Sequence, residues 1–284
     1  MKLYETEYKI YNKNNFKVCI ISDIHISNKL SNNKLDKLIE YMKDEKPDYI
    51  LIPGDLLDKN SELETELSRV IDFLSKLGNI GKTFIILGNH DLFDINKKYY
   101  KPIKYIEKVN KIKNVRILDN ELYEDKNIFL YGLTLDFDNY RLNDKSILFN
   151  QIKDIPNKSS KLKIIMMHSP SNIDKEIIDI LKYDYIICGH MHNGCVPLFI
   201  RKIWKSKRGF ITPNKKLFGD NLRDTLNTKE DKLLVCSPVI TFDKISGLFR
   251  IFNFMYPMYV TKMNFNKNNT FQIHNQYKLT KKDK

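Results

Sequence analysis

An α/β fold is predicted by three features of this 284-residue sequence. Short apolar runs of strand length alternate with helical stripes. Several of the runs are apolar without a break. Polar side chains gather where those runs end. The strand-like runs are 16–22, 49–53, 83–87, 115–118, 128–133, 162–167, 185–188 and 233–236. Their unbroken apolar character suits strands covered on both faces. Between the first two, 31–44 carries Leu35, Leu38, Ile39 and Met42 on one helical stripe. A second helix is predicted from Ser61, where Glu64 completes a capping box, through Leu63, Leu67, Val70, Ile71, Leu74 and Leu77 to Gly78. A third, over 95–113, lines up Tyr99, Ile103, Ile106 and Val109, with Pro102 limiting its regularity. A fourth lies near 174–182. No internal repeat and no Pro/Gly/Ser linker divides the chain, so residues 1–277 read as one domain. Residues 278–284, KLTKKDK, read as a frayed basic tail.

A hydrophobic share of 42% is enough for a sizeable core. No run approaches eighteen apolar residues, which argues against a spanning helix. The N-terminus lacks the apolar segment and cleavage site of a signal peptide. Cys19, Cys188, Cys195 and Cys236 are few and unevenly spaced, as expected of small buried hydrophobes in a reducing cytoplasm. The expected location is therefore cytoplasmic, with a peripheral place on the inner membrane face as a variant. Basic residues outnumber acidic ones 48 to 35, for a net charge of +13, and only seven of the cations are Arg. The excess fits either a compositional bias toward Lys and Asn or an anionic partner: a phosphate ester, nucleic acid or an acidic membrane.

The informative pattern is at the run ends. VCIIS leads into Asp23-Ile24-His25, and YILIP into Gly54-Asp55. FIILG leads into Asn89-His90-Asp91, KIIMM into His168, and YIIC into Gly189-His190-Met191-His192. In open α/β sheets the carboxyl ends of strands converge on the ligand crevice. Five of the six histidines sit at these ends, and only His274 does not. Asp23/His25 and His190/His192 are i, i+2 pairs, which project to one side of an extended chain but not of a helix. Imidazole, carboxylate and amide donors without thiolate suit Mn, Fe or Zn. Asp23, His25, Asp55, Asn89, His168, His190 and His192 exceed the needs of one ion. Two divalent ions sharing Asp55 would have four protein ligands each. Two carboxylates and a bridging hydroxide would leave about one positive charge to attract an anion such as a phosphate ester.

The set DxH, GD, GNHD, H and GHxH, read as Asp23 to His25, Gly54-Asp55, Gly88 to Asp91, His168 and Gly189 to His192, resembles the calcineurin-like metallophosphoesterases. The resemblance covers roughly 16–240, with all five blocks in order and each after a strand. The stretch GHMHNGCVP, with ITPNKKLFG downstream, is most similar to the bacterial branch of YaeI- and YkuE-like phosphodiesterases. It implies a four-layer αββα sandwich with a dimetal centre at the strand ends. By the resemblance, one ion takes Asp23, His25, Asp55 and His192, and the other takes Asp55, Asn89, His168 and His190. His90 would face the phosphate, stabilise developing charge and protonate the leaving oxygen, with Asp91 orienting it. The implied reaction is hydrolysis of a P–O ester by a metal-bridging hydroxide, since coordination lowers the pKa of water from 15.7 toward about 7.

Three rival readings stay open. A non-catalytic scaffold of the same fold would be expected to have lost ligands, and every one is present here. A Ser/Thr protein phosphatase resembles GDxxDRG and GNHE with phosphate-clamping arginines. Here the blocks are GDLLDKN and GNHD, and the nearest Arg, Arg69, falls on a predicted helix. A DNA or RNA nuclease would explain the positive charge, but little chain remains for a DNA-capping domain. Two further segments bear on partners. Residues 197–213 hold five basic residues and the only Trp, and read as a basic rim, a membrane contact or a solvated surface element. The aromatic stretch 247–260 reads as a buried strand or as a lipid-facing patch. Cys195, three residues past His192, is a candidate thiol or extra ligand.

Overall fold

The computed structural model describes residues 2–27, 30–58, 63–92, 103–142, 144–196, 200, 232–236 and 257–280. The first sheet contains β1 (Leu3–Tyr11), β2 (Phe16–Ile20), β3 (Tyr49–Ile52), β4 (Lys82–Ile85), β5 (Val115–Ile117), β11 (Met258–Asn266) and β12 (Gln272–Leu279). The second contains β6 (Glu121–Glu124), β7 (Ile128–Leu133), β8 (Leu162–Met167), β9 (Tyr185–Cys188) and β10 (Leu233–Val235). Their orders are β12-β1-β11-β2-β3-β4-β5 and β10-β9-β8-β7-β6. Strands β2 to β5 run parallel, as do β7 to β10, so each set ends on one edge of its sheet.

Alternation along the strands explains the layers. In β2, Phe16, Val18 and Ile20 turn inward to meet Leu130, Ile164, Met166 and Ile187 of the second sheet. Cys19, with Ile50, Ile52 and Ile85, turns outward under α1 (Asn32–Glu45), α2 (Leu63–Gly78) and α4 (Ile103–Asn110). On the far side, α6 (Lys145–Ile152) and α7 (Lys175–Leu181) cover Phe129, Ile165 and Ile186. The result is helices, sheet, sheet, helices: the expected αββα sandwich. Strands buried on both faces read as unbroken apolar runs, as found.

Several elements differ from expectation. Strand β1 was not expected, because Glu5 and Glu7 interrupt its apolar pattern. Both are buried, and the charge that matches them comes from Lys262 on β11, 3.6 and 3.5 Å away. Tyr41 of α1 also donates to Glu5 at 3.0 Å. The basic tail does not begin at 278. Lys278 and Leu279 pair with β1, and the Thr280 amide donates to the Leu3 carbonyl. Of the 247–260 stretch, Met258, Tyr259 and Val260 are buried in β11; the rest lies outside the described residues, as do 197–199 and 201–213. The third helix is described only as α4, and the Ser61 cap lies outside the described residues. Helix α7, expected near 174–182, is capped by Asp174, whose side chain accepts from the Ile177 amide. Among the described residues no helix is long and apolar enough to cross a membrane.

A polar clasp joins the two sheets at the end away from the candidate ligands. Asp125, between β6 and β7, accepts from Tyr49 at the start of β3, from Lys82 at the start of β4, and from the Asn127 and Ile128 amides. Burial alone would raise its pKa. Hydrogen bonds from Lys82, Asn127 and Tyr49 outweigh burial and hold the carboxyl well below the usual carboxylate range. Its stabilisation is therefore present above the unfolded pKa of about 3.9 and lost as pH falls through the lower folded value. Asp125→Ala is expected to cost about 1.5–3 kcal/mol, as for a lost hydrogen-bonded charge. Urea unfolding at pH 7 should show a lower midpoint at unchanged slope, and the gap from wild type should shrink in acid.

Candidate metal centre

Each candidate ligand stands just past a strand: Asp23 and His25 after β2, Asp55 after β3, and Asn89 after β4 as the first residue of α3 (Asn89–Leu92). His168 follows β8, and His190 and His192 follow β9. The parallel strands of both sheets bring these ends together. Three donor groups result: Asp23, His25 and His192; His25, Asp55 and His90; and Asp55, His168 and His190. Within each, the donor atoms lie within 4.8 Å of one another. They overlap at His25 and Asp55, so the groups form one continuous centre.

The i, i+2 pairs do not converge by lying on extended chain. Asp23, His25, Asp55, His190 and His192 have φ of 53°, 51°, 53°, 66° and 47°. Strand β2 has already ended at Ile20, and left-handed turns swing the side chains inward. Such backbone costs roughly 1–3 kcal/mol per non-glycine residue and persists only where its surroundings over-determine it. Here the loops after β2 and β3 zip together beyond the sheet: Asp23, His25 and Ile26 amides donate to the Gly54, Asp55 and Leu56 carbonyls at 3.3, 3.0 and 2.8 Å. Two glycines permit the crowding. A Cβ on Gly88 would strike the Asp55 carboxylate, and one on Gly189 would strike Ser22 Oγ and the Asp23 carboxylate.

The carboxylates are held by their neighbours. Ser22 Oγ donates to Asp23 Oδ2 at 2.5 Å, and the His190 amide donates to Asp23 Oδ1 at 3.0 Å. Asp55 Oδ1 accepts from the His90 amide at 2.8 Å. Asp55 Oδ2 faces three imidazoles, with His168, His25 and His90 Nε2 at 3.1, 3.8 and 4.0 Å. Asp91 was expected to orient His90. The hydrogen bonds seen for it run elsewhere, from the Leu57 amide to Oδ1 and the Gly88 amide to Oδ2, tying the loops after β3 and β4. Burial and the nearby Asp55 charge push its pKa up to about 7. Ser22 was not singled out in the sequence, though its place one residue before a ligand is legible. Groups that orient ligands are typically worth 10–100-fold in metal affinity. Ser22→Ala should therefore weaken Mn²⁺ binding by about that factor with an unchanged melting temperature, measured by titration calorimetry and thermal unfolding.

The donor set fits a cation. His25 Nδ1, Asn89 Oδ1 and His168 Nε2 are buried without a hydrogen-bond partner, an arrangement that normally costs about 1–3 kcal/mol per group. His168 Nδ1 lies 2.7 Å from the Pro53 carbonyl. Donation there leaves Nε2 facing Asp55 Oδ2 at 3.1 Å, a contact that a proton stabilises in the metal-free protein and that a bound cation would stabilise in its place. His25 and His192 likewise bring their Nε2 atoms to 3.4 Å. Burial drives His25 and His190 down to about 3, so both are neutral, as ligands must be. For Asp23, burial is outweighed by the His192 hydrogen bond and by His192 and His168 charge, which hold it at about 2. For Asp55, burial is outweighed mainly by His168 and His90 charge, which hold it well below the usual range. For His168, burial is outweighed by Asp55, which raises it to about 9.

Tyr140, on α5 (Phe137–Arg141), is a neighbour the sequence did not reveal. Its ring packs edge-on against His190, and its hydroxyl is buried. No strand end or motif spacing marks it. The Cys195 side chain lies outside the described residues.

Comparison with known proteins agrees with this geometry. A family model for calcineurin-like phosphoesterases matches residues 16–194. The chain is 31% identical over 205 residues to a metallophosphoesterase of Campylobacter jejuni, covering 70% of this chain and 50% of that protein. It is 28% identical over 211 residues to the DNA double-strand break repair protein Mre11 of Nanoarchaeum equitans, covering 62% and 57%. It is 25% identical over 180 residues to the phosphodiesterase YaeI of Escherichia coli, covering 63% and 61%. The chain thus spans about half the length of the Campylobacter relative. The match extends from the start of β2 through the GHMH block, taking in every candidate ligand, and the chain belongs to the calcineurin-like phosphoesterase family.

Proposed function

We propose that the chain is a dimetal phosphoesterase acting on phosphate diesters. Asp23, His25, Asp55 and His192 would hold one divalent ion, and Asp55, Asn89, His168 and His190 the other. The observation that carries this reading is the position of Asp55 Oδ2, with donor groups on both sides sharing that residue. When bound, the ions supply Lewis acidity and lower the pKa of water. The protein's part is to hold two ionised carboxylates and the imidazoles in a fixed, largely buried array, in which His25 and His190 are already neutral and His168 would give up its proton when an ion binds. His90 is the imidazole that this assignment leaves to the substrate: its side chain is 22% exposed; that of His192 is 23% exposed, but His192 is given to the first ion. Burial lowers its pKa, against the opposing charge of Asp55. An arriving phosphate ester adds negative charge, which favours a proton on the ring for delivery to the leaving oxygen.

A diester preference is supported by the YaeI relative. A nuclease is the second reading, supported by the Mre11 relative and the net charge of +13. A cytoplasmic setting belongs to the same proposal, with Cys19 and Cys188 buried and inert, the former pushed to about 12 mainly by burial. Strands from both ends of the chain share the first sheet, which supports a single domain. The test is hydrolysis by Mn²⁺- or Fe²⁺-loaded protein of an alkyl diester, an aryl diester, an aryl monoester and single- and double-stranded DNA. Diesters should be cleaved faster than the monoester. DNA cleavage exceeding that of small diesters would favour the nuclease, and no hydrolysis of any ester would refute the enzyme.

A further inference from the structure

We propose that Tyr140 is a positioning residue for the second ion site, holding the imidazole of His190 through its ring. The inference rests on the dimetal reading above. Tyr140 lies 5.6 Å from His190, centroid to centroid, at 65°, and 6.3 Å from His168 at 50°. His168 and His190 are themselves 5.0 Å apart at 65°. His190 meets both Tyr140 and His168 edge to face, a geometry that aromatic quadrupoles favour, while the Tyr140–His168 pair is tilted. The two imidazoles differ in what fixes them. His168 is locked through Nδ1 to the Pro53 carbonyl. The contacts seen for the His190 ring are with Tyr140 and His168, so its aim depends on packing.

Tyr140 is in turn mounted on a pinned support. Gln151 of α6 accepts from the Asn139 side chain at 2.7 Å and from the Asp136 amide at 3.3 Å, and donates to the Thr134 carbonyl at 2.9 Å. These bonds pin the segment that leads into Tyr140, from Thr134 to Asn139. The rings of the first site are placed differently: His25 faces His192 at 5.3 Å and His90 at 4.4 Å. Loss of the Tyr140 ring should therefore act on one ion and spare the other.

The test is calorimetric titration of metal-stripped full-length protein with Mn²⁺, with metal content measured after gel filtration. Wild type should bind in two steps. Tyr140→Phe keeps the ring and should bind as wild type. Tyr140→Ala should keep the first step and bind the second ion about 10–100-fold more weakly, the range typical of ligand-orienting groups. Tyr140→Leu, which keeps apolar volume without a ring, should show the same selective loss with a wild-type melting temperature. Wild-type affinity for both ions in Tyr140→Leu would overturn the inference, as would a loss in Tyr140→Phe equal to that in Tyr140→Ala. A wild type that binds fewer than two ions would overturn the dimetal reading instead.

Discussion

Asp55→Ala is expected to strip ions from both sites and to cut turnover by about 10³ or more. No other single change removes a donor from two of the three ligand groups together with the anchor of a third residue. Asp55 stands in the group with His25 and His90 and in the group with His168 and His190, and its Oδ1 also holds the His90 amide. Several kcal/mol of transition-state stabilisation typically depend on such ions, and each 1.36 kcal/mol is tenfold in rate, which sets the size of the effect. Asp55→Asn keeps the volume and separates lost charge from lost packing. Elemental analysis of both variants checks the claim, and a full complement of metal in Asp55→Ala would remove the bridge from the account.

His90→Asn should do the opposite: keep both ions and lose about 10²–10³ in kcat, the usual cost of one donor to a developing oxyanion. His90 Nε2 is 4.0 Å from Asp55 Oδ2, and its ring stacks edge-on to His25 at 4.4 Å. It is thus beside the ligands and also reachable from outside. The loss should be smaller for aryl esters, whose leaving groups need no proton, than for alkyl esters. His192→Asn, by contrast, should lose metal and activity together. Wild-type turnover of an alkyl diester by His90→Asn, or the loss of one ion, would show that His90 has a different role.

The core of the fold was legible because parallel strands buried on both faces leave short unbroken apolar runs, as at 49–53 and 185–188. The candidate ligands stood out because each such run stops at a residue with metal-binding donors. Strand β1 did not, since Glu5 and Glu7 look like surface residues until Lys262, near the other end of the chain, is folded against them. The conformation of the ligand loops was also hidden. Asp and His are over-represented at left-handed φ, but too weakly to mark these positions, and the i, i+2 spacing that pointed to extended chain serves equally for a pair of tight turns. The glycines at 88 and 189 belong to recognisable motifs, but the crowding that requires them appears only when Asp55 and Asp23 close over them. Asp91 illustrates the remaining gap. Its neighbour in sequence is His90, yet its carboxylate reaches back to Gly88 and across to Leu57. Tyr140 lies on a five-residue helix whose pattern has no period to read.

The most direct test of the central claim is the metal content of the wild-type chain, loaded with Mn²⁺, freed of excess ion by gel filtration and measured by elemental analysis against protein concentration. The seven proposed ligands, with Asp55 shared between two sets of four, predict a ratio close to two ions per chain. A ratio of one, or none retained, would contradict the account.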